Sequence, residues 1–432
     1  LMRQFNEPTR DRWPDLITRP VMDWSQITGK VQPILDAVRN EGDDAVLRFT
    51  ALFDGAELGH LAVSEEEIQA AYAQVDDGLL DAIRTAAKNI ERFHQLQKDP
   101  ERQLETSPGV TCWQKSVPIE KVGLYIPGGT APLFSTILML AIPARIAGCR
   151  EVIICTPPDK NGNLIPEMLV AAHEVGVGKI FKAGGAQAIA AMAYGTATIP
   201  RVYKIFGPGN QYVTAAKQLV QQQGVAIDLP AGPSEVLVWA GAGSIPAFLA
   251  ADLLSQAEHG VDSQVVLVAR DKVLVEATLE EVDRQCAALP RSDLALGALA
   301  HSKSILLQEE QDMVDFVNAY APEHLIITGE NADQRASQII NAGSVFIGNF
   351  TPESAGDYAS GTNHTLPTNG YARSYSGVNL DAYLKKITFQ KITPAGLQNL
   401  GPAIIAMAEA EQLQAHARAV SIRLQNLNDQ SS

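Results

Sequence analysis

The chain has little cysteine, a deficit of positive charge and no long apolar run, and each shortage excludes a class of protein. Its four cysteines, Cys112, Cys149, Cys155 and Cys286, stand far apart with no C-x-x-C pair. That usage reads as a reduced, intracellular chain, not a disulfide scaffold, and it leaves no thiolate zinc cluster. Lys and Arg total 34 against 49 Asp and Glu, a net charge of −15. Such a balance argues against nucleic acid or an anionic membrane as partner. The most apolar stretch, 131–149, is interrupted by Pro132, Pro143 and Arg145 and is too short to span a bilayer. No basic n-region or apolar core follows Leu1, so no secretory signal is expected. The expected location is cytoplasmic, or an organelle stroma where a transit peptide has been removed.

What remains is the composition of an ordinary soluble globular protein, 432 residues with 46% hydrophobic and 19% charged side chains. That length suggests two or three domains, each with ample core. Residues 1–26 mix polar and aromatic side chains with Pro8, Pro14 and Pro20 and read as an arm. Residues 30–100 are largely helical by apolar periodicity. Short apolar runs at 122–126, 151–155, 179–182, 202–206, 236–239, 264–269, 325–328 and 344–347 then fit buried parallel strands. Alanine- and leucine-rich segments separate most of them, which predicts an α/β architecture with parallel sheets. The tail, 402–427, reads as one or two amphipathic helices.

Four glycine-rich turns punctuate the middle of the chain. They are Tyr125-Ile-Pro-Gly128-Gly129, Ala183-Gly184-Gly185-Ala-Gln187, Phe206-Gly207-Pro-Gly209-Asn210 and Ala231-Gly232-Pro-Ser234-Glu. Each follows a strand run, and the second leads into a helical segment, 186–194. Glycine lets backbone amides approach a ligand, and a helix N-terminus favours phosphate. In open α/β sheets such turns lie at the carboxyl ends of strands, where ligands bind. Neither G-x-G-x-x-G nor a Walker motif is present, and Gly207-Pro-Gly209-Asn-Gln-Tyr fails at its last position. One such turn is ordinary loop chemistry. Four in series, with Tyr125, Gln187 and Asn210 able to stack or hydrogen-bond, put a nucleotide site on equal footing, without naming the nucleotide.

Three polar islands follow: Ser255-Gln-Ala-Glu-His259-Gly, Ala321-Pro-Glu-His324-Leu and Ser354-Ala-Gly-Asp357-Tyr-Ala-Ser-Gly-Thr-Asn-His364. The first reads as a helix ended by Gly260, with Gln256 and His259 three apart on one face. They can converge on a metal, or simply form a solvated helix end. Glu323 and His324 sit at a strand mouth, where a carboxylate and an imidazole can share acid and base duties, or can be two exposed turn residues. Asp357 and His364 fall in a stretch too irregular to assign to an element. Jointly, two or three imidazoles, an aspartate and an amide oxygen suit zinc with open positions for substrate. The absence of H-E-x-x-H makes a zincin protease a poor fit.

The segments Gly123-Leu-Tyr-Ile-Pro-Gly-Gly-Thr-Ala-Pro-Leu-Phe-Ser, Gly184-Gly-Ala-Gln-Ala-Ile-Ala, Lys204-Ile-Phe-Gly-Pro-Gly-Asn and Asp228-Leu-Pro-Ala-Gly-Pro-Ser-Glu carry a resemblance. With Asp252-Leu-Leu-Ser-Gln-Ala-Glu-His-Gly, Pro322-Glu-His-Leu and the third island, they resemble the L-histidinol dehydrogenase family, in order, from about residue 30 to the C-terminus. The resemblance implies oxidation of L-histidinol to L-histidine with two NAD+ and one Zn2+ per subunit. It implies Gln256, His259, Asp357 and His416 as metal ligands and Glu323 and His324 as the acid/base pair. Substrate contacts would be Ser234, His364 and Glu411, together with Gln256, His259, His324, Asp357 and His416. Tyr125, Gln187 and Asn210 would contact NAD+. The implied fold is two incomplete Rossmann-like parallel-sheet domains, one inserted in the other, with helical N- and C-terminal extensions. Its expected divisions are an arm at 1–26, a main domain of 27–121 with 232–377, an inserted cofactor domain at 122–231, and a dimerisation tail at 378–432.

That implied chemistry fits the residue types. A neutral His324 can take the hydroxyl proton, and a water activated by Glu323 can then add to the aldehyde. Glu411 and His416 are five apart, so on one continuous helix they would point about 140° from each other. Either the helix breaks near 412–415 or the two residues act from separate elements. The resemblance implies that this tail crosses to the partner of a homodimer and completes its zinc site. Two other readings stand beside this one: a non-catalytic nucleotide- or metal-binding relative, and a zinc alcohol dehydrogenase for another amino alcohol.

Overall fold

The computed structural model describes residues 2–19, 24–128, 133–230 and 232–430. Pro20, the start of the apolar stretch at 131–132, Gly129 of the first glycine turn and Ala231 of the fourth lie outside them. In chain order the strands are β1 (Arg3–Asn6), β2 (Gln103–Ser107), β3 (Val110–Pro118), β4 (Lys121–Tyr125), β5 (Glu151–Thr156), β6 (Ile180–Lys182) and β7 (Lys204–Phe206). They continue as β8 (Ala226–Ile227), β9 (Glu235–Ala240), β10 (Gln264–Ala269), β11 (Lys303–Leu306), β12 (His324–Thr328), β13 (Ser344–Ile347) and β14 (Leu384–Ile392).

Two all-parallel sheets share one winding. The smaller runs β6-β5-β4-β7-β8, and the larger runs β11-β10-β9-β12-β13 with β1 added at its edge. Leaving β1 aside, the first strand in sequence stands at the centre of each sheet and the fourth lies on its other side, so the winding reverses direction between β4 and β7 and again between β9 and β12. The larger sheet is covered on both faces. Strand β9 is buried at every residue, and its side chains alternate between two cores. Val236 and Val238 pack beneath helices Pro246–Ala257 and Lys272–Cys286; Leu237 and Trp239 pack beneath helix Glu310–Tyr320.

The eight strand runs expected from the sequence are all present, as is the α/β class. Two placements differ from the expected divisions. Helices Trp24–Glu41 and Asp43–Phe53, grouped from sequence with the larger sheet, put Val31, Leu35, Val38 and Val46 into the core of the smaller one, beside Ile189 and Val213. The arm is tied down too: Arg3–Asn6 pairs in parallel with β11, and Trp13 and Leu16 enter the larger sheet's core. Each places apolar side chains where a sheet face would otherwise stay wet.

The chain divides into two compact units. One holds residues 1–97 and 119–383, including both parallel sheets; the other holds 98–118 and 384–432. The second unit is an antiparallel sheet, β14-β3-β2, with Trp113 stacked on Phe389 at 5.3 Å, and a helical hairpin. The tail does break. Helix Pro394–Ala410 ends at Glu411, Gln412 takes φ +60°, and helix Gln414–Asp429 follows.

Candidate active site

The smaller sheet carries the glycine turns as expected of its kind. The first three turns leave the carboxyl ends of β4, β6 and β7. Where the winding reverses, a cavity of about 1280 Å³ is lined by Tyr125, Gly128, Gln187, Gly209, Asn210 and Asp54, among others. The three expected nucleotide contacts are therefore brought together, each in a different state. Tyr125 is buried and its hydroxyl accepts the Gly185 N–H at 3.2 Å; burial pushes its pKa up to about 12. Asn210 caps helix Gln211–Gln221, its Oδ1 accepting the N–H groups of Tyr212 and Val213, so only its NH2 is free for a ligand. Gln187 is 1% exposed and neither amide atom has a hydrogen-bond partner. Buried amides are rarely left so unless a ligand satisfies them.

Gly207 shows why the third turn needs glycine. It has φ +124°, and a Cβ there would lie 2.0 Å from the Tyr125 carbonyl oxygen. Gly207→Ala is expected to cost about 3 kcal/mol, from backbone strain plus overpacking. Urea unfolding measures it, and an unchanged midpoint would contradict this account of the turn.

The larger sheet departs from the usual rule. Its reversal point at the carboxyl ends of β9 and β12 is bridged by the loops themselves. The Gly241 N–H donates to the Thr328 carbonyl at 3.0 Å, the Glu330 N–H donates to the Ala242 carbonyl at 2.7 Å, and the Ser244 and Thr328 hydroxyls meet at 2.7 Å. The acid/base candidates lie at the opposite, amino ends. Glu323 immediately precedes β12, and His324 is its first residue, in register with Val236 and Ser344. The fourth glycine turn delivers Ser234 to the same end, directly before β9.

His324 is the hub. Its Nδ1 lies 3.6 Å from Glu323 Oε2, 3.9 Å from Glu353 Oε1 and 3.3 Å from the Glu235 carbonyl, and its Nε2 lies 3.5 Å from Asp357 Oδ1. Nε2 has no hydrogen-bond partner. Burial works against a charged ring, but Glu353, Glu323 and Asp357 outweigh it and hold the imidazole well above its usual pKa. Glu323 is buried, its Oε2 accepting the Glu235 N–H at 2.9 Å, and burial pushes its pKa up to about 8.

His259, Glu353 and Asp357 each offer a ligand atom within 4.8 Å of the others. His259 keeps an exposed edge, yet the packing around it lowers its pKa, which favours the neutral ligating form. Burial opposes ionisation of Asp357, but His324, His364 and His259 draw its pKa below the usual value. Both carboxylate oxygens of Glu353 and both amide atoms of Gln256 are buried without hydrogen-bond partners. Burial raises Glu353 well above the ordinary carboxylate range. A neutral imidazole, carboxylates and an unpaired amide oxygen make a donor set that fits a borderline divalent metal such as zinc.

Three local expectations change. Helix Pro246–Ala257 stops before His259, which sits in the following turn, and Gly260 is not among the left-handed glycines. Asp357 lies on a short helix, Glu353–Tyr358, where irregular chain was expected. Glu353 was missed, although it precedes Asp357 by four residues and so shares its helix face. Asp252, four before Gln256, was missed as well; burial pushes it up to about 7.

A smaller cavity, about 200 Å³, is lined by Ser234, His259, Glu323 and His364 together with residues 207–209 of the third glycine turn. That turn thus borders both cavities. His364 is held by the Asp357 carbonyl at Nδ1 (2.9 Å) and by Thr136 Oγ1 at Nε2 (3.0 Å). Nothing in the sequence pattern pointed to Thr136. Glu411 and His416 belong to the second compact unit, where both are exposed, on either side of the Gln412 reversal.

Comparison with known proteins bears directly on this arrangement. The family model for histidinol dehydrogenase matches residues 17–424. A histidinol dehydrogenase of Bacteroides thetaiotaomicron is 58% identical over 427 residues, 99% of this chain and 100% of that one. A chloroplastic histidinol dehydrogenase of Arabidopsis thaliana is 52% identical, covering 98% of this chain and 91% of that one. The crystal structure of histidinol dehydrogenase from Elizabethkingia anophelis superposes with a TM-score of 0.97 at 55% identity, with 99% of each chain covered. The chain belongs to the histidinol dehydrogenase family.

Proposed function

We propose that this protein oxidises L-histidinol to L-histidine in two NAD+-dependent steps at one metal-assisted site. The observation that carries the reading is the position of His324. It stands between the Glu323 carboxyl and Asp357 of the His259–Glu353–Asp357 group, so proton-handling and metal-binding groups meet around one ring. Gln256, His259 and Asp357 would hold the metal, with His416 of the partner subunit in a homodimer as the fourth ligand. The bound metal supplies a fixed cationic anchor for the substrate's nitrogens, and the dinucleotide supplies the electron acceptor.

The chain's own residues do the rest. Ser234 and His364 orient the small polar substrate, together with Glu411 of the partner subunit. His324 Nε2 takes the hydroxyl proton during the first oxidation. With Asp357 ligating a cation, its pull on that ring would weaken, which would favour the neutral imidazole that acts as a base. Glu323 then draws a proton from the water that adds to the aldehyde, and the hydrate is oxidised in the second step. The buried walls around Glu323 and His324 keep the aldehyde from bulk water. Tyr125, Gln187 and the Asn210 amide hold NAD+ in the larger cavity, next to the turn that borders the smaller one.

A homodimer is supported by the second unit's surface, where Leu104, Phe389, Met407, Leu413 and Ile422 are exposed apolar side chains. The proposed location is cytoplasm or organelle stroma; no helix among the described residues is long and apolar enough to cross a membrane.

The test is stoichiometry. Zinc-loaded protein given L-histidinol and excess NAD+ is expected to yield two NADH per histidinol, and a chelator is expected to abolish turnover. One NADH per substrate would indicate a simple alcohol dehydrogenase, and none a binding protein.

A further inference from the structure

The peptide of Glu235 touches both acid/base residues. Its N–H donates to Glu323 Oε2 at 2.9 Å, and its carbonyl lies 3.3 Å from His324 Nδ1. Glu235 is the first residue of β9, where it pairs with Gln264 of β10 while β12 joins one residue later at Val236, so its side-chain contacts add to what fixes it.

The Glu235 carboxylate, 1% exposed, accepts from Arg19 Nε at 2.7 Å, from Arg19 Nη2 at 3.1 Å and from the Tyr320 hydroxyl at 3.3 Å. The guanidinium lies 3.7 Å over the Tyr320 ring and also donates to the Tyr320 carbonyl at 2.7 Å. Tyr320 ends the helix that turns through Ala321, at φ +53°, into Glu323. Arg19 therefore grips both segments that present the pair: the Glu235 peptide on one side and the 320–323 turn on the other. Arg19 is itself anchored. It donates to the Ile17 carbonyl at 2.9 Å, and Lys303 Nζ donates to the flanking carbonyls of Leu16 and Thr18 at 2.5 and 3.1 Å.

We propose that Arg19, from the N-terminal segment, is a positioning residue for Glu323 and His324, acting through the Glu235 carboxylate and the Tyr320 carbonyl. The proposal rests on the acid/base roles assigned above. A planar, bidentate fork at the centre of such a network is a task that arginine performs and lysine performs only in part. Holding reacting groups within a fraction of an ångström is worth about a hundredfold in rate.

The experiment compares Arg19→Met, Arg19→Lys and Glu235→Gln with the parent, each metal-loaded. It measures kcat, KM for histidinol and NAD+, bound metal and thermal midpoint. Arg19→Met and Glu235→Gln are expected to lose kcat by about a hundredfold, with both KM values within about threefold and metal content unchanged. Arg19→Lys is expected to regain about tenfold over Arg19→Met. A purely structural role would lower the thermal midpoint and leave kcat alone. The proposal is overturned if Glu235→Gln and any folded Arg19 variant keep kcat within threefold of the parent. It is equally overturned if kcat falls only in step with bound metal. A parent that produces no NADH from histidinol defeats the functional reading itself, whereas an active parent with unaffected variants defeats only the positioning role.

Discussion

Glu323→Gln is expected to lower turnover of histidinol to histidine by about a thousandfold, with bound metal unchanged, because the amide keeps the shape and removes the base. The second oxidation should suffer most, since that step needs an activated water. The pH dependence gives the same test a second face. Burial pushes the Glu323 pKa up to about 8, so the carboxyl is protonated below that pH and ionised above it. A base works only when ionised; kcat for the aldehyde step should therefore rise as pH increases through about 8 and level off beyond it. Glutamine should erase that limb. A Glu323→Gln enzyme that keeps both parental rate and parental pH profile would remove Glu323 from the mechanism.

His416→Ala is the other large effect. The side chain is exposed within its own compact unit, on the first turn of the helix beyond the Gln412 reversal. If it ligates the metal of the partner's site, each His416→Ala homodimer should bind metal far more weakly and lose turnover, while retaining its fold. Mixing decides between subunits. A heterodimer of His416→Ala with Glu323→Gln places one intact site on the chain that keeps Glu323, served by the other chain's His416. Random reassociation should then restore about a quarter of parental activity, half the dimers carrying one good site of two. A mixture no more active than its two inactive parents would put His416 in its own chain's site or outside any site.

Much of this was legible in the chain because its signals are local. A run such as 236–239 declares a buried strand, and Gly207 declares a turn, from residue type and spacing alone. Residues 98–118 and 384–392 carried no such declaration. Their strands are mostly exposed or half-buried and mixed in polarity, Gln-Leu-Glu-Thr-Ser in β2; β2 and β3 form a local hairpin, and β14 completes the antiparallel sheet through a pairing far away in sequence. Strand β1 was hidden for the same reason, four residues largely exposed at a sheet edge.

Local sequence set the α/β class, the glycine turns that line the larger cavity and the chemical identity of the three polar islands. Periodicity, φ preferences and residue chemistry act over a few residues and need no partner. Which end of the larger sheet gathers the acid/base candidates was set by the fold alone. Loop-to-loop hydrogen bonds bridge the carboxyl ends of β9 and β12, and Glu323 and His324 gather at the amino ends. The fold also decided that Glu353 joins His259 and Asp357, and that Arg19 reaches Glu235, 216 residues away. Those are contacts between polar and ionisable groups brought from distant segments, His259 to Glu353 and Asp357 and Arg19 to Glu235, whose meeting is set by where the sheets place them.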